Sequence, residues 1–119
     1  MSHRQNEIVH LQPEDVLLRE GEESTVMYYL NTGSLAIFKR KGNGEQQIGT
    51  IYSGELVGEM SFLDKQPRSA TVKAITECEL VVIKGEKLEE LLDKLPKWYR
   101  VLLVTLTERL RKANARIKI

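Results

Sequence analysis

The sequence predicts a mainly β domain with α-helices at its C-terminal end, and two patterns lead to this fold class. Turn residues recur about every ten positions up to Lys84, a spacing typical of an antiparallel β-sandwich or barrel. At Gly85 the hydrophobic period changes from about 2 to about 3.6 residues, which indicates helices. We therefore expect strands over about residues 8–84 and helices over about 85–119, in one domain that spans residues 1–119.

Seven β-rich runs separated by turn residues predict the strands. The strongest turn signal is Gly42-Asn43-Gly44, because type I′ hairpin turns need positive φ at both central positions and Asn-Gly supplies it. This turn is expected to join Ser34–Lys41 to Glu45–Tyr52. The other strands are predicted at Ile8–Leu11, Val16–Leu18, Val26–Leu30, Ala70–Ala74 and Glu79–Lys84.

Two helices are predicted after the strands. The first is amphipathic, since leucines recur at i, i+3, i+4 and i+7 from Leu88 to Leu95. Pro96 interrupts it, and proline is tolerated only in the first turn of a helix, so a second helix is expected to begin there and to run to the C-terminus. The residues from Trp98 to Val104 are apolar on nearly every face, as expected of a helix packed against the strands.

The later part of the second helix predicts a self-association surface. Its apolar residues follow an a/d spacing, with charged residues at the other positions, in the order Leu103, Leu106, Leu110, Ala113 and Ile117. A coiled coil of under three heptads is only marginally stable by itself. Because this seam is attached to a folded domain, we expect it to join two copies in a homodimer through Leu103, Leu106, Leu110 and Ile117.

Composition excludes several classes of protein. Eighteen Lys and Arg against seventeen Asp and Glu leave a net charge of +1, so no overall field favours nucleic acid or an anionic membrane. The single cysteine, Cys78, lies in an apolar run and is interpreted as a core residue of a protein from a reducing compartment. The chain shows no signal-peptide pattern and no apolar run near the ~20 residues of a membrane span. We expect a cytoplasmic protein that makes no membrane contact.

The polar stretch Gly54–Ala74 predicts a buried anion site. Gly58 offers backbone without a Cβ, Glu59 begins a single apolar turn of helix, and Pro67 fixes the chain just before Arg68. The start of that helix adds free backbone N–H groups. Backbone amides, a carboxylate and a guanidinium are thus expected to converge.

These residues resemble the cyclic nucleotide-binding domain family, of the catabolite activator and protein kinase A regulatory subunit type. The resemblance runs from about residue 8 to 117, and its most specific piece is Gly58-Glu59-Met60 followed by Pro67-Arg68-Ser69-Ala70-Thr71-Val72, similar to the family's phosphate-binding cassette. It implies an antiparallel double-stranded β-helix, a jelly-roll and cupin-like barrel, with a short phosphate-cassette helix and two C-terminal helices.

The resemblance also implies roles for single residues. Gly58 and Arg68 stand ten positions apart, the spacing of the cassette, so Glu59 rather than Glu55 is the expected ribose ligand and Glu55 is expected to be solvated. Arg68 is expected to form paired hydrogen bonds with the charged phosphate, and Glu59 is expected to accept a hydrogen bond from the ribose 2′-hydroxyl. Ser69 adds a hydroxyl. The candidate ligand-binding residues are Gly58, Glu59, Met60, Arg68, Ser69, Ala70 and Asn114.

The base contacts match the family least. In the family's bacterial activators two hydroxyl residues of the helix approach the purine, and Ala113 and Asn114 stand at those positions here. Asn114 offers an amide to an adenine edge, and it reads equally well as an exposed helix residue. Ser69 resembles the cAMP-type cassettes, whereas threonine more often accompanies cGMP. The resemblance therefore implies cAMP as the preferred ligand, with cGMP as the alternative.

The expected function is a non-catalytic cyclic nucleotide sensor that signals through its C-terminal helices to an unknown effector. An enzyme is disfavoured because only His3 and His10 are present, so no metal-ligand set and no catalytic triad is evident. The basic residues Arg109, Arg111, Lys112, Arg116 and Lys118 are read as partners of the helix dipole and as flanks of the seam rather than as a nucleic-acid site.

Three alternatives stay open from the sequence. Arg68 and Glu59 can simply pair with each other, although this buries two charges for no evident gain in stability. The domain can be degenerate, binding no nucleotide and serving only as an interaction module. Since no helix-turn-helix is recognised before Ile119, the chain can also be the regulatory fragment of a DNA-binding transcription factor.

Overall fold

The structure is a computed structural model that describes residues 7–24 and 26–117, with side chains described as far as Ala113. His3 and the last two residues lie outside this part of the chain. Eight strands and three helices follow one another in the order β1 (Ile8–Leu11), β2 (Val16–Leu18), β3 (Val26–Thr32), β4 (Ser34–Lys41), β5 (Gly44–Tyr52), β6 (Leu56–Val57), α1 (Glu59–Asp64), β7 (Thr71–Ala74), β8 (Cys78–Lys84), α2 (Gly85–Asp93) and α3 (Lys97–Ile117).

The strands form two four-stranded sheets in which all pairings are antiparallel, with the orders β1-β8-β3-β6 and β2-β7-β4-β5. Sequence neighbours are mostly separated within the sheets, which is the topology of a jelly roll. The predicted fold class is confirmed. The two sheets stack as a sandwich and are not joined by hydrogen bonds into a closed barrel, so the barrel of the prediction is an open one.

The core lies between the two sheets and is made by the inward residues of each strand. Val9, Leu80 and Leu30 form one row across the first sheet, and Leu35 pairs with both Ala74 and Ile51 in the second. Alternate residues of these strands face inward because side chains in a strand point to opposite faces in turn. The buried cluster consists of Leu11, Leu18, Leu30, Leu35, Ile51, Val57, Val72, Ala74, Cys78 and Leu80. The core assignment of Cys78 is thus confirmed.

The β4–β5 hairpin is present, but its turn differs from the prediction. Lys41 pairs with Gly44, so the two central residues are Gly42 and Asn43. Only Gly42 has positive φ, at 60°, which is the sign pattern of a type II′ turn rather than type I′. The sequence places a glycine at the position where this turn requires one.

Two further elements depart from the sequence prediction. Strand β6 was not predicted; it has only two residues, which pair with Tyr28 and Tyr29 of β3. The expected packing of the first turns of α3 against the strands is wrong, since Trp98 and Val101 are 59% and 62% exposed. Helix α3 packs mainly against α1 and α2, while α1 contacts β3 and α2 contacts β8. An all-round apolar pattern does not specify which face a helix buries.

The predicted α3 seam is only partly exposed. Leu106 and Leu110 are 48% and 54% exposed, but Leu103 is half-buried beside the face of α3 that contacts α1. The side chain of Ile117 lies outside the described residues. The exposed apolar stripe instead contains Tyr99, Leu102, Leu106 and Leu110, which share one face of a helix with about 3.6 residues per turn. Among the residues that the structure describes, no helix is long and apolar enough to span a bilayer.

Candidate ligand-binding site

A cavity of about 290 Å³ opens between the second sheet and the Gly54–Ala74 stretch. This volume is near the lower end of the about 300–1,000 Å³ of small-molecule sites. One wall is polar and comes from the start of α1 and from residues 68–70; the other is apolar and comes from strands. The lining residues are Leu18, Ile37, Thr50, Ile51, Glu55, Leu56, Val57, Gly58, Glu59, Met60, Ser61, Arg68, Ser69, Ala70 and Val72.

Gly58 precedes α1 and determines how closely the chain approaches Arg68. Its φ is +84°, in the left-handed region that favours glycine. A Cβ built on Gly58 would lie 2.6 Å from Nη1 of Arg68, which is far inside van der Waals contact. The Gly58 carbonyl in turn accepts a hydrogen bond from the same Nη1 at 3.2 Å. Glycine is therefore required here both for backbone conformation and for room beside the guanidinium.

Arg68 is a buried cation held by backbone carbonyls. Its residue surface is only 4% exposed, and its Nη2 donates to the Val26 carbonyl at 2.7 Å. Within the described residues no carboxylate lies in ion-pair range of its guanidinium. Two of its five N–H groups are used by these carbonyls. Burial lowers the pKa of Arg68, while Tyr28 and Glu22 act in the opposite direction; arginine nevertheless keeps its charge at neutral pH.

The backbone of Arg68 is fixed as firmly as its side chain. The amide of Gly21 donates to the Arg68 carbonyl at 2.9 Å, and the Arg68 amide donates to the Glu22 carbonyl at 2.7 Å. The turn that follows β2 therefore clamps Arg68 from both sides. A guanidinium held at the backbone and at the side chain is preorganised for an anion, so little order has to be gained on binding.

Glu59 is the first residue of α1 and lines the cavity, half-buried. It forms no ion pair with Arg68, so the hypothesis that these two residues close the loop by pairing with each other is wrong. Glu55, the competing glutamate, is exposed at the cavity rim, and its carboxylate accepts the Tyr52 amide at 3.2 Å. Its predicted solvated position is confirmed.

The other cassette candidates also line the cavity. Met60 and Ser69 are half-buried and Ala70 is buried. The Ser69 carbonyl accepts a hydrogen bond from Nζ of Lys39, which also pairs with Glu20 at 3.6 Å. The structure thus brings six of the seven candidates together around one cavity. The side chain of the seventh, Asn114, lies outside the described residues, and its neighbour Ala113 is exposed.

Sequence reasoning missed the apolar wall of the cavity. Leu18, Ile37 and Val72 come from three different strands of the second sheet, and each looks like an ordinary core residue in the sequence. Strand alternation is the signal that identifies them as inward-facing.

Within residues 7–24 and 26–117, no group of three or more His, Cys, Asp or Glu side chains is placed to hold a metal ion.

Comparison with known proteins identifies the family to which this chain belongs. The model of the cyclic nucleotide-binding domain matches residues 8–95, which is most of the chain and ends before α3. The chain therefore belongs to the cyclic nucleotide-binding domain family.

Particular relatives extend the comparison. The chain is 30% identical over 103 residues to the cAMP-activated global transcriptional regulator CRP of Haemophilus influenzae, covering 85% of this chain and 46% of that protein. It is similar to the cAMP-bound form of the EAL enzyme Bd1971, with a TM-score of 0.86, 26% identity, and 94% of this chain and 30% of that one covered. It is also similar to the Thermus thermophilus catabolite activator protein, with a TM-score of 0.75, 27% identity, and coverage of 97% and 55%. The chain spans about half the length of the curated relatives it matches.

Proposed function

We propose that this chain is a non-catalytic regulatory domain that binds a cyclic nucleotide, with cAMP preferred over cGMP. The observation that carries the proposal is the Arg68 guanidinium, which is buried at a cavity without a carboxylate partner among the described residues. A buried charge is stable only when it is paired or well hydrogen-bonded. A cyclic phosphate supplies one negative charge and acceptor oxygens for the N–H groups that the two carbonyls leave free.

The remaining cassette residues are proposed to hold the sugar and the phosphate edge. Glu59 lies at the same cavity and, when ionised, accepts hydrogen bonds, which suits a ribose 2′-hydroxyl. Ser69 supplies a hydroxyl next to Arg68. Gly58, Met60 and Ala70 shape the surface on which the ring lies, and the apolar side chains of Leu18, Ile37 and Val72 shield the site from water. Asn114 is proposed as the base contact from α3.

The direct test is calorimetric titration of cAMP and cGMP into the wild type and into Arg68→Ala. We expect wild-type binding of cAMP in the micromolar range or tighter, and a loss of at least about 100-fold in the variant, since charge-assisted bonds to a buried anion are lost. Arg109→Ala is the matched control, because Arg109 is exposed on α3 and lies away from the cavity. If the wild type binds neither nucleotide at submillimolar concentration, the proposal fails.

We further propose that two copies associate through α3. The support is the exposed stripe of Tyr99, Leu102, Leu106 and Leu110 on one face of the helix, since a contiguous exposed apolar patch marks an association surface. Leu103, which the sequence placed in the seam, is replaced in this proposal by Leu102. Sedimentation of Leu106→Glu should give a monomer at a concentration where the wild type is a dimer, and its thermal stability should equal that of the wild type at concentrations where the wild type is monomeric. A monomeric wild type at high micromolar concentration contradicts it.

A second candidate function is the sensor part of a DNA-binding regulator, favoured by the similarity to transcriptional regulators. The proposed output is then a ligand-dependent change in α3 that an attached effector domain senses. Binding of this chain to nonspecific duplex, measured between low and physiological salt, tests whether the chain contacts DNA directly. We expect weak binding, because the net charge is only +1.

A further inference from the structure

The end of α1 is connected to both C-terminal helices by two neighbouring side chains of opposite charge. Asp64 is the last residue of α1 and contacts Arg111 of α3. Lys65 follows it in a left-handed conformation, with φ of +60°, and contacts Glu89 of α2. Each helix is therefore linked to the cassette between Glu59 and Arg68, outside the cavity itself.

The Asp64–Arg111 contact is bidentate and largely shielded from water. Nε of Arg111 donates to Oδ2 of Asp64, and Nη2 donates to Oδ1 at 3.2 Å. The Asp64 side chain is 5% exposed and that of Arg111 is 23% exposed. Fork-to-fork pairing fixes orientation as well as distance. A lysine at this position would keep the charge but lose the second bond.

The same guanidinium also reaches the backbone next to the anion-binding arginine. Nη2 of Arg111 donates to the carbonyl of Pro67 at 3.2 Å, one residue before Arg68. Oδ1 of Asp64 accepts the Gln66 amide at 3.0 Å. Arg111 thus braces both the start and the end of the turn over residues 64–67. That turn connects the helix carrying Glu59 to the segment carrying Arg68.

The Lys65 connection is parallel to the first and more exposed. Nζ of Lys65 lies 2.7 Å from Glu89, and Glu89 is 2.9 Å from Nη2 of Arg100 on α3. The side chains are 55%, 33% and 37% exposed in that order. Exposed ion pairs contribute little because water screens them. Of the two connections, we expect the one through Arg111 to contribute more to the position of α3 relative to the cassette.

We propose that Arg111 is a positioning residue of the cyclic nucleotide site: from α3, it holds the 64–67 turn so that Glu59 and Arg68 face the same cavity. This inference rests on the proposed function. It implies that the position of α3 and the occupancy of the cavity are coupled. Because such coupling is reciprocal, nucleotide should stabilise the docked position of α3 by the same free energy by which docked α3 favours nucleotide.

The test compares Arg111→Gln with Arg109→Gln, which removes the same charge from an exposed position of the same helix. Two quantities are measured: the dissociation constant for cAMP, and amide hydrogen exchange of residues 61–70 without ligand. For Arg111→Gln we expect at least about fivefold weaker binding and faster exchange across the turn. For Arg109→Gln both quantities should stay within about twofold of wild type. Arg111→Lys should fall between the two.

Three results separate the outcomes. Wild-type exchange in Arg111→Gln overturns the inference whatever the binding result. Faster exchange with unchanged cAMP affinity also overturns it, since Arg111 would then be only a structural contact. If wild type binds no cyclic nucleotide, the proposed function fails by itself, and ligand-free exchange still decides whether Arg111 orders the turn.

Arg111→Gln leaves Asp64 buried without its partner and could therefore unfold. The double variant Asp64→Asn/Arg111→Gln is the control for that outcome. The double variant leaves no buried unpaired charge, so it is expected to fold, and its amide-to-amide contact should recover part of the lost cAMP affinity. A double variant that folds with wild-type melting temperature but still binds cAMP more weakly than wild type supports the requirement for the bidentate pair. One that binds as tightly as wild type overturns it.

Discussion

The cassette and helix α3 are constructed in opposite ways. In the cassette, Arg68 is buried, its backbone is clamped by the turn after β2, and its side chain is held by two carbonyls. Among its described residues, helix α3 leaves six of eight large apolar side chains exposed, and it contacts α1 and α2 partly through polar side chains. A rigid site next to a loosely attached helix is the arrangement expected of a sensor, because the less stable element is the one that can move.

The largest expected difference is in stability, between the sheet core that supports the cassette and helix α3. Leu80 is fully buried in β8, whereas Leu106 of α3 is 48% exposed. Leu80→Ala should lower the free energy of unfolding by about 2–5 kcal/mol, through lost burial and a residual cavity. Leu106→Ala should change it by no more than about 0.5 kcal/mol. Urea denaturation at low micromolar protein measures both.

A cost above about 1 kcal/mol for Leu106→Ala at that concentration would contradict the comparison, because it would place Leu106 in a packed environment within one copy. If the cost appears only at high protein concentration, it belongs to the proposed association of two copies instead, since dimers are stabilised by mass action.

Alanine substitutions at Gly54 and Gly58 should distinguish a glycine of an ordinary turn from a glycine of the ligand site. Gly54 and Gly58 both have positive φ, at +95° and +84°, but a Cβ on Gly54 has nothing within 4 Å, whereas one on Gly58 meets Arg68 at 2.6 Å. Both alanine variants should lose roughly 1–2 kcal/mol of stability from backbone strain. Gly58→Ala must in addition displace the guanidinium, and we expect it to lose cAMP binding by more than about tenfold.

The measurement is thermal unfolding together with calorimetry on both variants. Gly54→Ala with wild-type cAMP affinity supports the assignment of Gly58 to the site. Equal affinities in Gly54→Ala and Gly58→Ala would show that the close approach of Gly58 and Arg68 has no part in ligand binding.

A smaller effect is expected from Glu59, which is placed at the cavity without touching Arg68. Glu59→Gln replaces a charged acceptor by a neutral one, so cAMP affinity should fall by about tenfold, equivalent to about 1.4 kcal/mol. The 2′-deoxy analogue of cAMP should bind wild type more weakly than cAMP but lose little further in the variant. If the variant weakens both nucleotides equally, the carboxylate is not the ribose ligand.

The sequence predicted which residues of the 58–70 segment lie together at one cavity far better than it predicted the packing of helix α3. Residues 58–70 contain one glycine, one proline and four charged residues, and this short contiguous pattern can be matched to the family's cassette without the rest of the fold. Strand β6 was missed because two residues between turns carry no period. The contact between Asp64 and Arg111 was missed because the two residues lie 47 positions apart, and a basic residue on a helix has several local explanations, including the dipole. In α3 the apolar period alone allowed either Leu102 or Leu103 to face outward.

The smallest effect concerns pH and the exposed connection between Lys65 and α2. Hydrogen bonds from Lys65 and then Arg100 hold the pKa of Glu89 below its ordinary value of 4.5. A carboxylate whose folded pKa is depressed adds stability that is present above its unfolded pKa and is lost as the pH falls through the folded pKa. Because the pair is solvent-exposed, the contribution should stay under about 1 kcal/mol. The difference in unfolding free energy between wild type and Glu89→Gln should therefore shrink as the pH falls below about 4.5. A difference that is constant from pH 7 to pH 3 would mean that Glu89 contributes through packing, and that Arg111 carries the charged connection to the helices alone.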